Sequence, residues 1–284
     1  MIKSIGLLFL LFLSSCTHYG QLNFITDLPD KLEENSGLIS LRDSTIWTVE
    51  DNGNKDEIYK IDFKGNILKS LKVKNAKNRD WEDLTKDKKG YVYIADIGNN
   101  ANDRKDLTVY KIPDPEIENG SKIEAEKIEF HYPQQKKFPP KKSKRYYDAE
   151  AIFHHGTQLY IFTKNRSNPF TGETHIYTVP DLKGRYEAKL IGTVQIGQDW
   201  KTCQITGIDI SPDGTTIVAL SYGKLFVFTG FTWDNFSKGN MREIDLGIRT
   251  QLESICFINN NTLLLSDEAS HGQGGDLYSY TLQD

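Results

Sequence analysis

The sequence predicts an all-β protein, a five-bladed β-propeller, on the evidence of two repeating series and a lack of helical periodicity. An oxygen-bearing residue followed two positions later by Leu or Ile recurs at Ser36, Glu82, Glu150, Thr206 and Glu253. Fourteen or fifteen residues after each comes a second series, Asp51, Asp96, Lys164, Ser221 and Asp267. Two series in register indicate a repeat architecture.

Each repeat carries β-strand patterns after its oxygen-bearing residue. A short apolar strand comes first, and a second, β-rich strand follows at 46–49, 91–94, 159–162, 217–220 and 263–265. The third strands have an aromatic residue near the centre, at 58–61, 109–112, 176–179, 226–228 and 277–280. Fourth, more polar strands are predicted at 67–73, 126–130, 189–193 and 242–246. Alternation and enrichment in β-branched and aromatic residues support all of them.

The two chain ends together supply the last blade. The fifth repeat stops after three strands, and an unassigned strand pattern at 22–26 precedes the first repeat. A circular array in which this strand closes the last blade accounts for both facts and leaves few free edges. Six blades would require a hidden blade between Glu82 and Glu150, but Gln134–Lys144 is rich in Lys and Pro and is predicted as a loop.

Residues 1–16 resemble a bacterial export signal with a lipobox, Leu13-Ser14-Ser15-Cys16, and predict lipidation of Cys16. The alternative is an ordinary signal peptide with a chance cysteine. The remaining residues, 17–284, are predicted to form a single propeller domain anchored to a membrane. Thr17 in place of Asp resembles lipoproteins of the outer membrane. The prediction is therefore an exported protein of the cell envelope.

Composition limits the classes of partner and of cross-link. The net charge of −4 does not indicate a nucleic-acid-binding protein. Cys203 and Cys256 fall in neighbouring repeats, about 20 Å apart by strand spacing, which a disulfide cannot span. Stability is therefore expected to come from the core.

The five oxygen-bearing residues are predicted to meet at one end of the central channel. Three glutamates and two hydroxyls around one axis would repel unless a cation lay between them. Oxygen ligands without His or Cys suit a hard ion of the calcium type and argue against zinc. The alternative is that these residues hydrogen-bond to neighbouring blades and lock the ring.

The order Ser, Glu, Glu, Thr, Glu resembles that of calcium-activated nucleotidases, apyrase-like five-bladed propellers in which Ser, Glu, Glu, Ser, Glu hold a central calcium. The hairpin from Ile46 to Ile61 is also similar to that family. Where the family has an arginine after its paired acids, this chain has Asn52. A weaker likeness is to SdiA-regulated and esterase-like phytase propellers. The resemblance to the nucleotidases implies one calcium ion in the channel, and the weaker likeness implies a metal-centred channel.

Other residues predicted at the same mouth could bind a ligand or act in catalysis. Asp51 and Asp96 could orient water in a hydrolase. The predicted ligand-binding residues are Asn52, Arg79, Asn99, Lys164, Asn165, Arg166 and Asp267. The alternatives are turn chemistry for the Asn and Asp residues and simple pairing of Lys164 with Glu150. Asp80 and Asp148 are predicted to support the ring, and the basic residues to receive a phosphorylated or carboxylated ligand.

Two functions remain open from the sequence. One is a calcium-binding envelope protein whose loop face recognises a small anionic ligand or a partner protein. The other is a calcium-dependent hydrolase of phosphate esters or anhydrides. The fold cannot choose between them, because propellers host both.

Overall fold

The computed structural model of the protein describes residues 19–234, 236–270 and 273–283. The predicted signal segment 1–16, with the lipidation site Cys16, lies outside the described residues. No helix in the described part of the chain is long and apolar enough to cross a membrane.

The described residues form short strands and three single-turn 3₁₀ helices. The strands are β1 (Asn23–Asp27), β2 (Asn35–Arg42), β3 (Thr45–Glu50), β4 (Glu57–Asp62), β5 (Ile67–Lys74), β6 (Trp81–Lys86), β7 (Val92–Asp96), β8 (Leu107–Ile112), β9 (Lys122–Glu124), β10 (Glu126–His131), β11 (Asp148–His155), β12 (Gln158–Lys164), β13 (Glu173–Pro180), β14 (Gly184–Glu187), β15 (Lys189–Gln195), β16 (Gly207–Ile210), β17 (Thr216–Ser221), β18 (Lys224–Thr229), β19 (Asn240–Asp245), β20 (Leu252–Phe257), β21 (Thr262–Asp267) and β22 (Asp276–Thr281). The 3₁₀ helices are Asp30–Leu32, Lys142–Lys144 and Phe236–Lys238.

The strands form five sheets, which are the five blades of a β-propeller. Their strand orders are β2-β3-β4-β5-β9, β6-β7-β8-β10-β14, β11-β12-β13-β15, β16-β17-β18-β19 and β20-β21-β22-β1. We number the blades 1 to 5 in that order. The inner strands contact one another in the sequence β2, β6, β11, β16, β20 and back to β2, so the array is circular. The predicted fold class is confirmed.

The last blade is closed by the N-terminal strand, as the sequence predicts. β1 pairs antiparallel with β22, with Asn23 opposite Ser279. The described residues form no sixth sheet, and 134–144 contains only the turn Lys142–Lys144. Ring closure therefore pairs the two ends of the described chain.

Blades 1 and 2 each gain a fifth strand that the sequence does not predict. β9 pairs parallel with β5, and β14 pairs parallel with β10. These strands are only three and four residues long, so they are too short to show a clear alternation of apolar and polar residues. They extend the outer edge of the sheet away from the channel.

The apolar core lies between the blades. Five buried clusters each join two neighbouring blades, and together they complete the circle. Trp47 and Trp81, for example, are fully buried in the cluster between blades 1 and 2. Cys203 and Cys256 are both free and buried. Burial of apolar area between blades is therefore the main stabilising term, as expected without a disulfide.

Polar side chains also join neighbouring blades. The carboxylate of Asp83 accepts a hydrogen bond from the backbone N–H of Ile152 at 2.9 Å, and Asp209 accepts one from Phe257 at 2.7 Å. The side chain of Asn35 donates to the carbonyl of Asp267 at 2.8 Å. These contacts fix the relative positions of the strands that carry the predicted site.

Candidate metal centre

Three glutamates lie at β-bulges in the inner strands. The register between the inner and second strands shifts at Glu82, Glu150 and Glu253, in blades 2, 3 and 5. A bulge leaves the extra residue out of the ladder and re-aims its side chain. All three glutamates are buried. Burial, followed by the charge of Glu150, raises the pKa of Glu82 well above its ordinary value. The structure thus brings the predicted carboxylates into electrostatic range of one another.

The two hydroxyl residues of the predicted ring bridge neighbouring blades. The hydroxyl of Ser36 donates to the backbone carbonyl of Glu82, and that of Thr206 donates to the carbonyl of Leu252 at 2.6 Å. Both side chains are buried. The inter-blade hydrogen bonds that the sequence left open as an alternative are therefore present at these two positions.

Glu150 belongs to an ion-pair cluster in blade 3, made up of Asp148, Glu150, Lys164 and Arg166. The ammonium of Lys164 donates to Glu150 and, at 2.9 Å, to the hydroxyl of Tyr222. Arg166 donates from Nε to Asp148 at 2.6 Å and from Nη2 to Glu150 at 2.9 Å.

The side chains of this cluster neutralise one another. Burial alone would lower the pKa of Lys164, but Glu150 and then Glu253 raise it well above its usual value. The two carboxylates therefore favour the charged form of the buried lysine. Pairing of Lys164 with Glu150, the alternative left open by the sequence, is what the structure shows. Burial raises the pKa of Glu150 to about 7, and the charge of Lys164 opposes that rise.

A second group of carboxylates lies between blades 1 and 2 and has no such partner. One oxygen each of Asp51, Asp80 and Glu82 lies within 4.8 Å of the other two. We call these three residues the acidic triad. Asp51 follows β3, whereas Asp80 and Glu82 flank the start of β6. Among the described residues, no Lys or Arg forms an ion pair with any of the three.

The electrostatics of the acidic triad favour a bound cation. Burial, and then the charges of Asp51 and Asp148, raise the pKa of Asp80 to about 7. Burial also raises the pKa of Asp51. Like charges this close disfavour simultaneous ionisation, and a cation between them removes the penalty. The donor atoms are all carboxylate oxygens, which fits a hard divalent ion such as calcium and does not fit zinc.

Gly98 makes room for the acidic triad. A Cβ atom at this position would lie 2.0 Å from Oε1 of Glu82 and 2.5 Å from Cγ of Asp80. The backbone N–H of Gly98 also donates to the carbonyl of Asp80 at 3.2 Å. Any larger residue would push the two carboxylates out of their present positions, so the glycine is part of the site.

Asp96 and Asp267 occupy equivalent strand positions and are held within their own blades. Asp96 lies opposite Trp81 and accepts hydrogen bonds from the N–H of Asp80 at 3.0 Å and from Arg104 at 2.9 Å. Asp267 accepts from Thr250 at 2.6 Å and from the N–H of Asp276 at 2.8 Å. Neither residue is one of the three carboxylates of the acidic triad.

The strand register also distinguishes Asp51 from Asp96 and Asp267, the residues at the corresponding spacing in blades 2 and 5. Glu50, opposite Asn35, takes the strand position that Asp96 has opposite Trp81. Asp51 is one residue further along the chain. That extra residue places its carboxylate with the acidic triad rather than inside the blade.

The remaining predicted ligand-binding residues divide by partner. Asn99 and Asn165 are buried and order their own loops through several backbone contacts. Asn52 is exposed, and its N–H donates to Asp51. Arg79 is at the surface, 2.8 Å from Asp106. Turn chemistry accounts for the local contacts of the asparagines, whereas Asn99 also donates to the carbonyl of Tyr147 and Arg79 forms a surface ion pair. Only Lys164 and Arg166 of the predicted set form ion pairs with a ring glutamate.

Sequence reasoning missed three parts of this region. Asp80 was expected only to support the ring, although its position two residues before Glu82 would place both at one strand end. Gly98, in Ile97-Gly98-Asn99-Asn100, gives no signal beyond a turn. Tyr222, in the neighbouring blade 4, also gives no signal; its hydroxyl accepts the hydrogen bond from Lys164 of blade 3.

Comparison with solved structures supports the fold. The chain is similar to the PQQ-bound form of an aldose sugar dehydrogenase from Streptomyces coelicolor, with TM-score 0.50, 10% identity, and coverage of 92% of this chain and 97% of that one. A putative 6-phosphogluconolactonase from Bacteroides uniformis has TM-score 0.45 and 13% identity, with coverage of 86% of this chain and 66% of that one. A gluconolactonase from Xanthomonas campestris has TM-score 0.46 and 11% identity, with coverage of 88% of this chain and 72% of that one. At 10% identity, the similarity to the sugar dehydrogenase concerns the propeller fold alone.

No protein-family model matches the sequence, and no curated protein matches it.

Proposed function

We propose that this protein is a calcium-binding β-propeller of the cell envelope, with a loop face that binds an anionic ligand or a partner. The observation that carries the proposal is the acidic triad, in which three close carboxylates have no ion-pair partner among the described residues. Asp51, Asp80 and Glu82 would hold the ion. Bound calcium would neutralise these charges and offer a Lewis-acid centre for an oxygen of the ligand.

The proposal moves the ion from the channel axis towards blades 1 and 2. Ser36 and Thr206 already donate to backbone carbonyls, and Glu150 already has two cationic partners. The carboxylates of the acidic triad lack such partners. Cationic side chains of the protein therefore pair with Glu150 in blade 3, whereas a bound ion would neutralise the acidic triad.

Calorimetric titration with calcium tests the position of the ion. We expect Asp80→Asn and Glu82→Gln to weaken calcium binding by at least about tenfold, because each removes one charged ligand. Glu253→Gln is the matched control, since it removes the same charge from an equivalent bulge in another blade. It should change the affinity by no more than about twofold if the triad holds the ion.

Two results would contradict this assignment. Equal losses in Glu82→Gln and Glu253→Gln would restore the five-residue axial ring as the calcium site. A wild-type protein that shows no heat of binding and contains no metal by elemental analysis would remove the cation from the proposal altogether.

The envelope location rests on the lipobox at Cys16, which precedes the described residues. We expect the N-terminal peptide of the mature protein to carry acyl chains on Cys16, which mass spectrometry would detect. Cys16→Ser should release the protein from the membrane fraction, and fractionation would show whether the outer membrane holds the wild type. A mature N-terminus without lipid would contradict the anchor.

Calcium-dependent hydrolysis of phosphate esters or anhydrides is the second candidate. Asp51 favours it, because its carboxylate belongs to the acidic triad and has no ion-pair partner in the described chain. Asp96 favours it less, since Arg104 and the N–H of Asp80 already engage its carboxylate. Nucleotides, phosphomonoesters and lactones should be assayed with calcium and with EDTA. Absence of turnover in a calcium-loaded protein would leave the binding function.

A further inference from the structure

A basic cavity of about 440 Å³ lies beside the blade 3 ion-pair cluster. Its lining residues are Lys142, Arg145, Arg166, Ser167, Asn168, Phe170 and Trp200. None of these carries a negative charge, whereas three are cationic. The cavity is therefore suited to an anion and not to a cation.

Two of the three cations in the cavity have no ion-pair partner among the described residues. Arg166 is engaged by Asp148 and Glu150. By contrast, Nε of Arg145 is buried and has no hydrogen-bond partner in the described structure. Lys142 likewise forms no ion pair with a described residue. A buried guanidinium N–H without an acceptor is costly, and an oxyanion in the cavity would satisfy it.

Another part of the lining is aromatic. Trp200 is 43% exposed, although it is among the largest apolar side chains of the molecule. Its ring packs edge-on against Phe170, with the ring centroids 5.4 Å apart. An indole held by a second ring presents a fixed apolar surface, on which a planar or sugar ring of a ligand could stack.

Backbone contacts hold the two loops of the cavity together. The N–H of Arg166 donates to the carbonyl of Arg145 at 3.0 Å, and the N–H of Asn168 donates to the carbonyl of Lys142 at 3.0 Å. The Lys-rich loop is thus attached to the loop between β12 and β13. A cavity fixed in this way needs little ordering when a ligand binds.

We propose that this cavity binds a small organic oxyanion, with its phosphate or carboxylate on Arg145 and Lys142 and its ring on Trp200. The inference rests on the proposed function, because it names the class of the anionic ligand. Arg166 contacts Glu150 on one side and lines the cavity on the other, so the ligand would lie next to the channel.

Calorimetry with phenyl phosphate, benzoate, inorganic phosphate and benzyl alcohol tests the inference, each in calcium and in EDTA. We expect phenyl phosphate or benzoate to bind, and benzyl alcohol not to. The relative affinities of phenyl phosphate and benzoate then decide between phosphate and carboxylate, and either ranking supports the site. Arg145→Ala and Trp200→Ala should each weaken binding about tenfold, the loss of one charge-assisted hydrogen bond or one stacking contact.

Lys137→Ala is the matched control, since Lys137 is exposed on the same loop but does not line the cavity. It should change the affinity by less than about twofold. Thermal unfolding of each variant shows whether the protein remains folded. An equal loss in Lys137→Ala and Arg145→Ala would mean general attraction to positive charge and would overturn the site. Binding of inorganic phosphate that matches that of phenyl phosphate and is unchanged by Trp200→Ala would overturn the role of the ring.

The same titrations separate this inference from the calcium proposal. Calcium binding without binding of either organic oxyanion overturns the inference and leaves the calcium site standing. Oxyanion binding to a protein that binds no calcium supports the inference and overturns the calcium site.

Discussion

Glu82 and Glu150 lie at equivalent bulges of neighbouring blades, yet their surroundings have opposite charge. Fourteen residues after Glu150 stands Lys164, which pairs with it. Fourteen residues after Glu82 stands Asp96, which pairs with Arg104 instead, and the carboxylates of Asp51 and Asp80 lie close to that of Glu82. Equivalent blades therefore differ in whether the protein supplies a cation: Lys164 and Arg166 pair with Glu150, whereas no described Lys or Arg forms an ion pair with Glu82.

Removing the internal cation should have the largest effect. Lys164→Met leaves Glu150 buried with Arg166 alone, and we expect the free energy of unfolding to fall by about 3 kcal/mol. Chemical denaturation measures it. The double variant Lys164→Met with Glu150→Gln should recover at least half of the loss, because it removes the stranded charge. If Lys164→Met is as stable as the wild type, Lys164 is not needed to neutralise Glu150.

A carboxylate that is desolvated between blades should make stability depend on pH. Burial raises the pKa of Asp209 from 3.8 to about 6, although backbone N–H groups oppose the rise. The folded state therefore holds the proton more tightly than the unfolded state, and stability falls as pH rises from about 4 to about 6. The loss is about 3 kcal/mol at most.

Asp209→Asn should flatten this part of the stability–pH curve, as measured by denaturation at a series of pH values. The asparagine oxygen can still accept one backbone hydrogen bond, so the fold should survive. Parallel curves for the two proteins would show that Asp209 is already ionised below pH 4.

The acidic triad lacks an internal cation of the kind found in blade 3, so bound calcium should stabilise the protein. At a calcium concentration about one hundred times the Kd, the wild type should gain about 2.7 kcal/mol of stability. Asp51→Asn should lose most of this gain, yet in EDTA it should be more stable than the wild type, because it relieves repulsion. Thermal unfolding in calcium and in EDTA measures both. A variant that is less stable in EDTA would contradict an unpaired triad.

Gly98→Ala should have the smallest effect of these variants, and the effect should fall on calcium affinity. The new methyl group would meet Glu82 and Asp80, and we expect calcium affinity to fall about tenfold, or about 1.4 kcal/mol. Gly192→Ala is the control, because a Cβ there meets nothing within 4 Å. Titration of both variants with calcium decides. Equal affinities would show that the carboxylates can move aside.

The sequence was sufficient to predict the fold because the repeats are regular. The series at Ser36, Glu82, Glu150, Thr206 and Glu253 marks the inner strands, and β1 closes the last blade as predicted. The short parallel strands β9 and β14 were not predicted, because each pairs with a strand of the neighbouring blade. Three or four residues hold too little pattern to reveal that.

The site was harder to predict, because spacing does not reveal register. Asp51 and Asp96 have nearly the same spacing from their inner-strand residues, yet one residue of offset places Asp51 in the triad and leaves Asp96 within its blade. Asp80 and Gly98 belong to the same place only because the start of β6 and the end of β7 meet there. Calcium itself, the lipid anchor and the ligand stay predictions.

Closure of blade 5 by β1 also constrains how the protein can fold. Asn23 pairs with Ser279, so the ring cannot shut until nearly the whole chain is available. Contacts this distant in sequence make folding slow, and the incomplete blade exposes an open strand edge in the meantime. Until β1 pairs with it, the edge of β22 is therefore the part of the folding chain most exposed to pairing with another chain.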